Sequence, residues 1–210
     1  MPYTYEKNGA NIYKESFATI RNEADLSAFT PAEEIVAVRM IHAAGMVELA
    51  QFIKFTSDFA VTARTAIENG APILCDTKMV SEGITRTRLS ANNKIMCTLQ
   101  DPNVTQMAAN AGNTRSAVAI ELWRPYLSGA IVAIGNAPPT ALFHLLNLLE
   151  DADYPRPAAI IGCPVGFVGA QESKEALITS PPVPSCIVKG RLGGSAITVA
   201  AINALASHIE

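Results

Sequence analysis

The sequence predicts an α/β protein: a doubly wound, mostly parallel five-stranded sheet with helices on both faces and a helical N-terminal segment. Three observations carry this expectation. From Pro72 onward short β-like runs alternate with helical ones, the runs are apolar almost throughout, and glycine-bearing turns join them to the helices. Continuous apolarity, in place of alternation, is what a strand shows when helices cover both faces of its sheet.

Taken in chain order, the first third is helical. Thr30-Pro31-Ala32-Glu33 spells a capping box with proline at the first helical position. It opens a helix that runs to about Ala44, where Gly45 is placed to end it. The five strand runs are PILCD (72–76), KIMCTL (94–99), GAIVAIG (129–135), PAAIIG (157–162) and PSCIVKG (184–190). Helical segments fall roughly at 102–111, 114–124, 139–150, 167–178 and 194–208. Sheets of this kind bind ligands at the carboxyl ends of their strands. Three of those ends lead into GNAPPTA, GCPVGFVGAQES and GRLGGSA, turns that leave helix N-terminal amides free for an anion. None spells GxGxxG, which makes a nucleotide-dependent oxidoreductase a weak reading. With 210 residues and no linker, the chain reads as a single domain, 1–210.

Composition narrows the function classes. Hydrophobic residues make up 49% of the chain against 17% charged, which excludes disorder and suggests that a partner covers some apolar surface. A net charge of −3 argues against nucleic acid or a membrane surface as partner. The segment 77–120 nevertheless carries Lys78, Arg86, Arg88, Lys94 and Arg115 against only Glu82 and Asp101, a balance that suits a small acidic ligand. The uncharged stretch 125–149 is broken by Gly135-Asn136 and Pro138-Pro139 and is not expected to span a membrane. The start MPYTYEKNGANIYKES does not read as a signal peptide. Cys75, Cys97, Cys163 and Cys186 stand singly in apolar runs, so buried thiols in a reducing, cytoplasmic compartment are expected, with no metal site.

Of three histidines, His144 shares a helical stripe with Thr140, Asn147 and Asp151, a solvated face, and His208 lies near the chain end. His42 falls on one helix face with Ile35, Val38 and Arg39. An imidazole beside a guanidinium on an apolar face needs a partner or a ligand, so it is either a satisfied core histidine or a functional one. Arg115 follows Gly112-Asn113-Thr114 in the first turn of a helix, where a cation opposes the dipole unless an anion faces both; the alternative is an arginine reaching away. No GxSxG elbow, HExxH or P-loop is present, which leaves proton-assisted rearrangement or simple binding.

The segments VRMIHAAGM, APILCDTKMVSEGITR, NTRSAVA, IGNAPPTALFHLL, CPVGFVGAQESKEAL and GRLGGSAITVAAINAL resemble, in order, the signature segments of precorrin-8X methylmutases, from Ser16 to Leu205. The resemblance implies an isomerase of cobalamin biosynthesis that moves a methyl group between adjacent carbons of a tetrapyrrole, a 1,5-sigmatropic shift giving the corrinoid hydrogenobyrinate, without a cofactor. It places the catalytic histidine at His42 and substrate contacts at Ser16, Arg39, Thr85 and Arg115, and it implies a homodimer with the macrocycle near the subunit interface. A protonated His42 would then act as general acid, the helix C-terminal carbonyls favouring the imidazolium. The apolar second face of the 30–45 helix (Val36, Met40, Ala43) is expected to meet a second subunit. A cobalt-precorrin-8 methylmutase and a non-catalytic tetrapyrrole carrier are the competing expectations.

Overall fold

The computed structural model describes residues 2–56 and 58–207. Helix α1 (Gly9–Glu23) starts at Asn8, whose side chain accepts from the Ala10 and Asn11 amides. Helix α2 (Pro31–Ala44) carries the full capping box of Thr30 and Glu33, and Gly45 ends it in the left-handed region at φ 64°. Both ends of α2 thus lie where the capping box and Gly45 place them.

The strands are β1 (Ile53–Phe55), β2 (Ile73–Cys75), β3 (Ile95–Met96), β4 (Ile131–Ile134), β5 (Ala159–Gly162) and β6 (Ser185–Val188). They form one six-stranded sheet in the order β1-β6-β5-β4-β2-β3. All pairs are parallel except β1 with β6, where Ile53 faces Val188 and Phe55 faces Cys186. The expectation of five strands is therefore corrected to six. The extra strand, IKF, is three residues long and adds antiparallel at an edge, so it offers no periodicity to read.

Between the strands lie α3 (Phe59–Glu68), α4 (Lys78–Gly83), α5 (Val104–Ala111), α6 (Arg115–Ala119), α7 (Thr140–Leu149), α8 (Ala170–Thr179) and α9 (Ser195–Leu205). The 114–124 segment passes from α6 into a 3₁₀ turn over Ile120–Tyr126 that holds Pro125. The expected 167–178 helix begins three residues late, because Gly166 and Gly169 both take positive φ and keep 165–169 a loop. The 194–208 helix ends at Leu205.

Side-chain alternation divides every central strand between two cores. Ile73, Cys75, Ile131, Ala133, Ala159 and Ile161 face a core filled by α2, α3, α4 and α9. Leu74, Val132, Ile134, Ile160 and Ile187 face the other, filled by the 3₁₀ turn at Trp123, by α7 and by α8. This is the two-faced burial that the apolar runs anticipate. The chain leaves β2 toward β3 on one side and returns to β4 on the other, so the order reverses between β2 and β4. Asp76 sits there, accepting from the Gly135 and Asn136 amides at 3.0 and 2.8 Å.

Candidate active site

The unusual chemistry lies off the sheet, where α1, α2 and α9 meet. Tyr13, Ser16, Phe17 and Ile20 recur at helical spacing and give α1 one inward face. Arg39 and His42, three apart, share a face of α2. The two faces bring Ser16 Oγ to 2.7 Å from His42 Nδ1. In the neutral ring the Ser16 hydroxyl donates to Nδ1; in the imidazolium Nδ1 donates to Ser16 Oγ. One hydroxyl thus serves both protonation states and leaves Nε2 for a ligand.

Aromatic rings fix the imidazole on its other sides. Phe17 meets it edge-on at 5.3 Å and 88°, and Tyr13 lies at 5.2 Å and 40°. Arg39 is buried, at 8% exposure, with its guanidinium 5.1 Å from the Phe17 ring and 5.8 Å from that of Tyr13. Burial, and next the Arg39 charge, hold the His42 pKa below its ordinary 6.5. The expectation that the α2 carbonyls favour the imidazolium is corrected accordingly: desolvation and a like charge one turn away outweigh them.

Two hollows adjoin the ring. One, of about 150 Å³, is lined by Tyr13, Arg39, His42, Ala196, Val199 and Asn203 among others. The other, of about 250 Å³, lies between Ser16, Ile20, His42 and Met46. Thr85 reaches the first through its backbone: its N–H donates to Asn203 Oδ1 at 2.9 Å, and Asn203 Nδ2 donates to the Gly83 carbonyl. Arg39 lines the first hollow and Ser16 the second, His42 stands between the two, and Thr85 is one hydrogen bond behind the first. Arg115 does not join them in this chain. It lies on α6, its Nη2 donating to the Leu99 carbonyl at 3.1 Å, while the neighbouring Thr114 bonds Thr140 Oγ1 at 2.7 Å.

The other histidines behave differently. His144 Nε2 lies 2.8 Å from Glu121 Oε1, a partner that the solvated-stripe expectation did not include. His208 lies outside the described residues. Sequence reasoning missed Tyr13, Phe17 and Asn203; the i, i+3, i+4 spacing of Tyr13 and Phe17 with Ser16 was the available signal, whereas nothing local marks Asn203. The expectation about α2's second face is also corrected. Val36 and Met40 are wholly buried within this chain and Ala43 is exposed, so that helix leaves no apolar stripe open.

Fold and cleft together define a class: a doubly wound α/β protein whose histidine, held by a serine, faces a hollow that it lines with Tyr13 and a buried arginine. The chain belongs to the precorrin-8X methylmutase family, whose model matches residues 11–208. It is 57% identical over 205 residues to the precorrin-8X methylmutase of Sinorhizobium sp, covering 97% of both proteins. It is 53% identical over 207 residues to that of Pseudomonas aeruginosa, covering 98% of this chain and 99% of the other. The cobalt-precorrin-8 methylmutase of Methanothermobacter thermautotrophicus is 36% identical over 203 residues, with coverage of 94% and 92%. A solved precorrin-8X methylmutase from Thermus thermophilus superposes with a TM-score of 0.85 at 37% identity, covering 94% of this chain and 95% of its own.

Proposed function

We propose that this protein is an isomerase that converts precorrin-8X to hydrogenobyrinate by an intramolecular methyl shift, with His42 as general acid. The observation that carries the reading is the Ser16–His42 couple facing a cleft, in a chain of this family. Proton donation to the macrocycle, at a ring nitrogen or the conjugated system beside the migrating methyl, withdraws electron density from the π-system and eases the alkyl shift. A well-placed acid contributes on the order of 10²–10⁴-fold. In the free protein His42 is held toward its neutral form. A substrate bearing several carboxylates brings negative charge beside it and shifts it toward the imidazolium, so the substrate itself charges the acid. Arg39 offers a cation to one carboxylate, and Arg115, which stands away from this cleft in its own chain, would offer one to another from the second subunit of a dimer.

The higher identity to relatives named for precorrin-8X than to one named for cobalt-precorrin-8 supports the metal-free substrate. Turnover assayed on both substrates tests it: precorrin-8X is expected to react faster, and faster reaction of the cobalt form reverses the assignment.

The working unit in this reading is a homodimer of single-domain chains in the cytoplasm. Hollows of about 150 and 250 Å³ are smaller than the roughly 300–1,000 Å³ of ordinary ligand pockets, and a tetrapyrrole needs more than those. A second chain closing over the cleft supplies the missing walls, and Tyr13 and Met46 beside the cleft are apolar surface for it to cover. The four cysteines are free, as a reducing compartment requires. No helix among the described residues is long and apolar enough to cross a membrane. Light scattering at micromolar concentration is expected to give the dimer mass; a monomer overturns the dimer.

A further inference from the structure

The loop after β5 presents apolar side chains that the fold does not use. Phe167 is 82% exposed and Val168 85%. Such exposure on a slack loop would mean little, but this loop is held at its base. The Gly166 N–H donates to the Arg191 carbonyl at 3.2 Å and the Gly194 N–H to the Cys163 carbonyl at 2.8 Å. Lys174, wholly buried, donates its ammonium to the Leu192 carbonyl and so pins the second loop from beneath. Gly193, at φ 148°, lies so close to the Cys163 carbonyl that any side chain there would collide with it. The post-β5 and post-β6 loops are thus one clamped unit, and it holds two large apolar side chains out in water.

Arg191 belongs to that unit. It is exposed, and its guanidinium lies 5.0 Å from the Phe167 ring. The unit also adjoins the His42 cleft. Val165 lies against Gly194, and α9 begins at the next residue; Ala196, in its first turn, lines the cleft with His42. From Ser195 to Asn203 the helix spans about 12 Å at 1.5 Å per residue. The clamped loops stand at one end of this length and Thr85 at the other.

Resting on the tetrapyrrole reading above, we infer that Phe167, Val168 and Arg191 form a preformed ledge for the outer part of the macrocycle, the two apolar side chains under its ring face and the guanidinium on a peripheral carboxylate. A flat apolar ring edged with carboxylates has the same pairing of surfaces as the ledge. A subunit contact is the less suitable occupant, since a stable interface takes on the order of 800 Å² from each partner and the charged Arg191 stands exposed against the Phe167 ring.

The test titrates hydrogenobyrinate into the full chain, following the visible spectrum, with light scattering and thermal melting run on each variant. The double variant Phe167→Ser/Val168→Ser is expected to keep its fold and its oligomeric state and to bind at least tenfold more weakly, the order expected for losing burial of a large apolar side chain. Arg191→Ala is expected to bind several-fold more weakly at low salt and to converge on the parent at high salt. Equal affinity of parent and double variant overturns the ledge. So does a double variant whose oligomeric state changes, because the face is then a subunit contact. If the parent itself does not bind hydrogenobyrinate, the tetrapyrrole reading fails and the ledge falls with it.

Discussion

The carboxyl edge of the sheet and the helical flank make an instructive pair. The edge has what a doubly wound fold ordinarily uses for ligands: glycine turns, an order reversal between β2 and β4, and a buried acid at the reversal. Yet Asp76 is committed to the Gly135 and Asn136 amides, and burial pushes its carboxyl up to about 6 despite them. The flank is built from α1 and α2, which precede the whole sheet in sequence, and from α9, which follows it, and it holds an imidazole with a serine partner. The sheet edge is a scaffold joint, and the proton chemistry proposed for His42 would be mounted on helices packed over one face. Where a fold usually binds is therefore a weaker guide than where a titratable group is held in two protonation states.

That division can be broken or sharpened by substitution. The largest effect is expected at His42. His42→Ala is expected to lose at least about 10²-fold in turnover while still binding hydrogenobyrinate, since Arg39 and the aromatic walls remain. Turnover within about threefold of the parent would remove the histidine from catalysis, and binding lost along with rate would make it an anchor.

Next comes Asp76, where stability moves and chemistry does not. A carboxyl whose native pKa is raised, here from 3.8 to about 6, lends stability that is complete below pH 4 and lost as pH climbs through 6. Asn cannot ionise and still accepts from both amides. Relative to the parent, Asp76→Asn is thus expected to gain roughly 3 kcal/mol between pH 4 and pH 8, at about 1.4 kcal/mol per pKa unit; its Nδ2, set where Oδ1 is buried without a partner, costs the variant the same at both pH values. Denaturant melts at the two pH values check this; a difference that is unchanged, or that moves against the variant as pH rises, would show that the charge itself holds the joint.

Arg115 probes whether the edge shares in binding. Arg115→Ala is expected to weaken hydrogenobyrinate binding by about 1.5–3 kcal/mol, the range for a hydrogen bond to a charged group. Equal dissociation constants would confine substrate recognition to the flank and the ledge. The smallest effect is expected for Ser16→Ala, which removes the bond to Nδ1 and leaves the ring between Tyr13 and Phe17. A fall in kcat of about fivefold corresponds to roughly 1 kcal/mol for one hydrogen bond, with KM little changed; a fall like that of His42→Ala would make Ser16 part of the acid.

How much of this was legible in the sequence follows from how local each signal is. The capping box and Gly45 delimit α2 because every participant lies within that helix or beside it. The buried strands announce themselves by composition, since helices on both faces demand apolarity at every position. β1 carries no such mark, being an edge strand whose partner β6 lies far along the chain. His42 and Arg39 stood out because a helix wheel sets them side by side, whereas the couple with Ser16 spans 26 residues and depends on how α1 crosses α2. Asn203 lines the hollow beside His42, and Thr85 joins the site through its backbone bond to Asn203, a contact between segments 118 residues apart. The argument for a second subunit from α2 failed for the same reason: a wheel shows that a helix is apolar on two faces, not that one chain buries both.

The central claim, that His42 delivers the proton, is tested most directly by kcat/KM for precorrin-8X as a function of pH, which reports the free enzyme's essential acid. Because burial and Arg39 lower the His42 pKa, kcat/KM is expected to fall as pH rises through a single ionisation lying below 6.5, and that limb is expected to vanish in His42→Ala. A profile flat from about pH 5 to 8, or a limb that persists unchanged in His42→Ala, would contradict it.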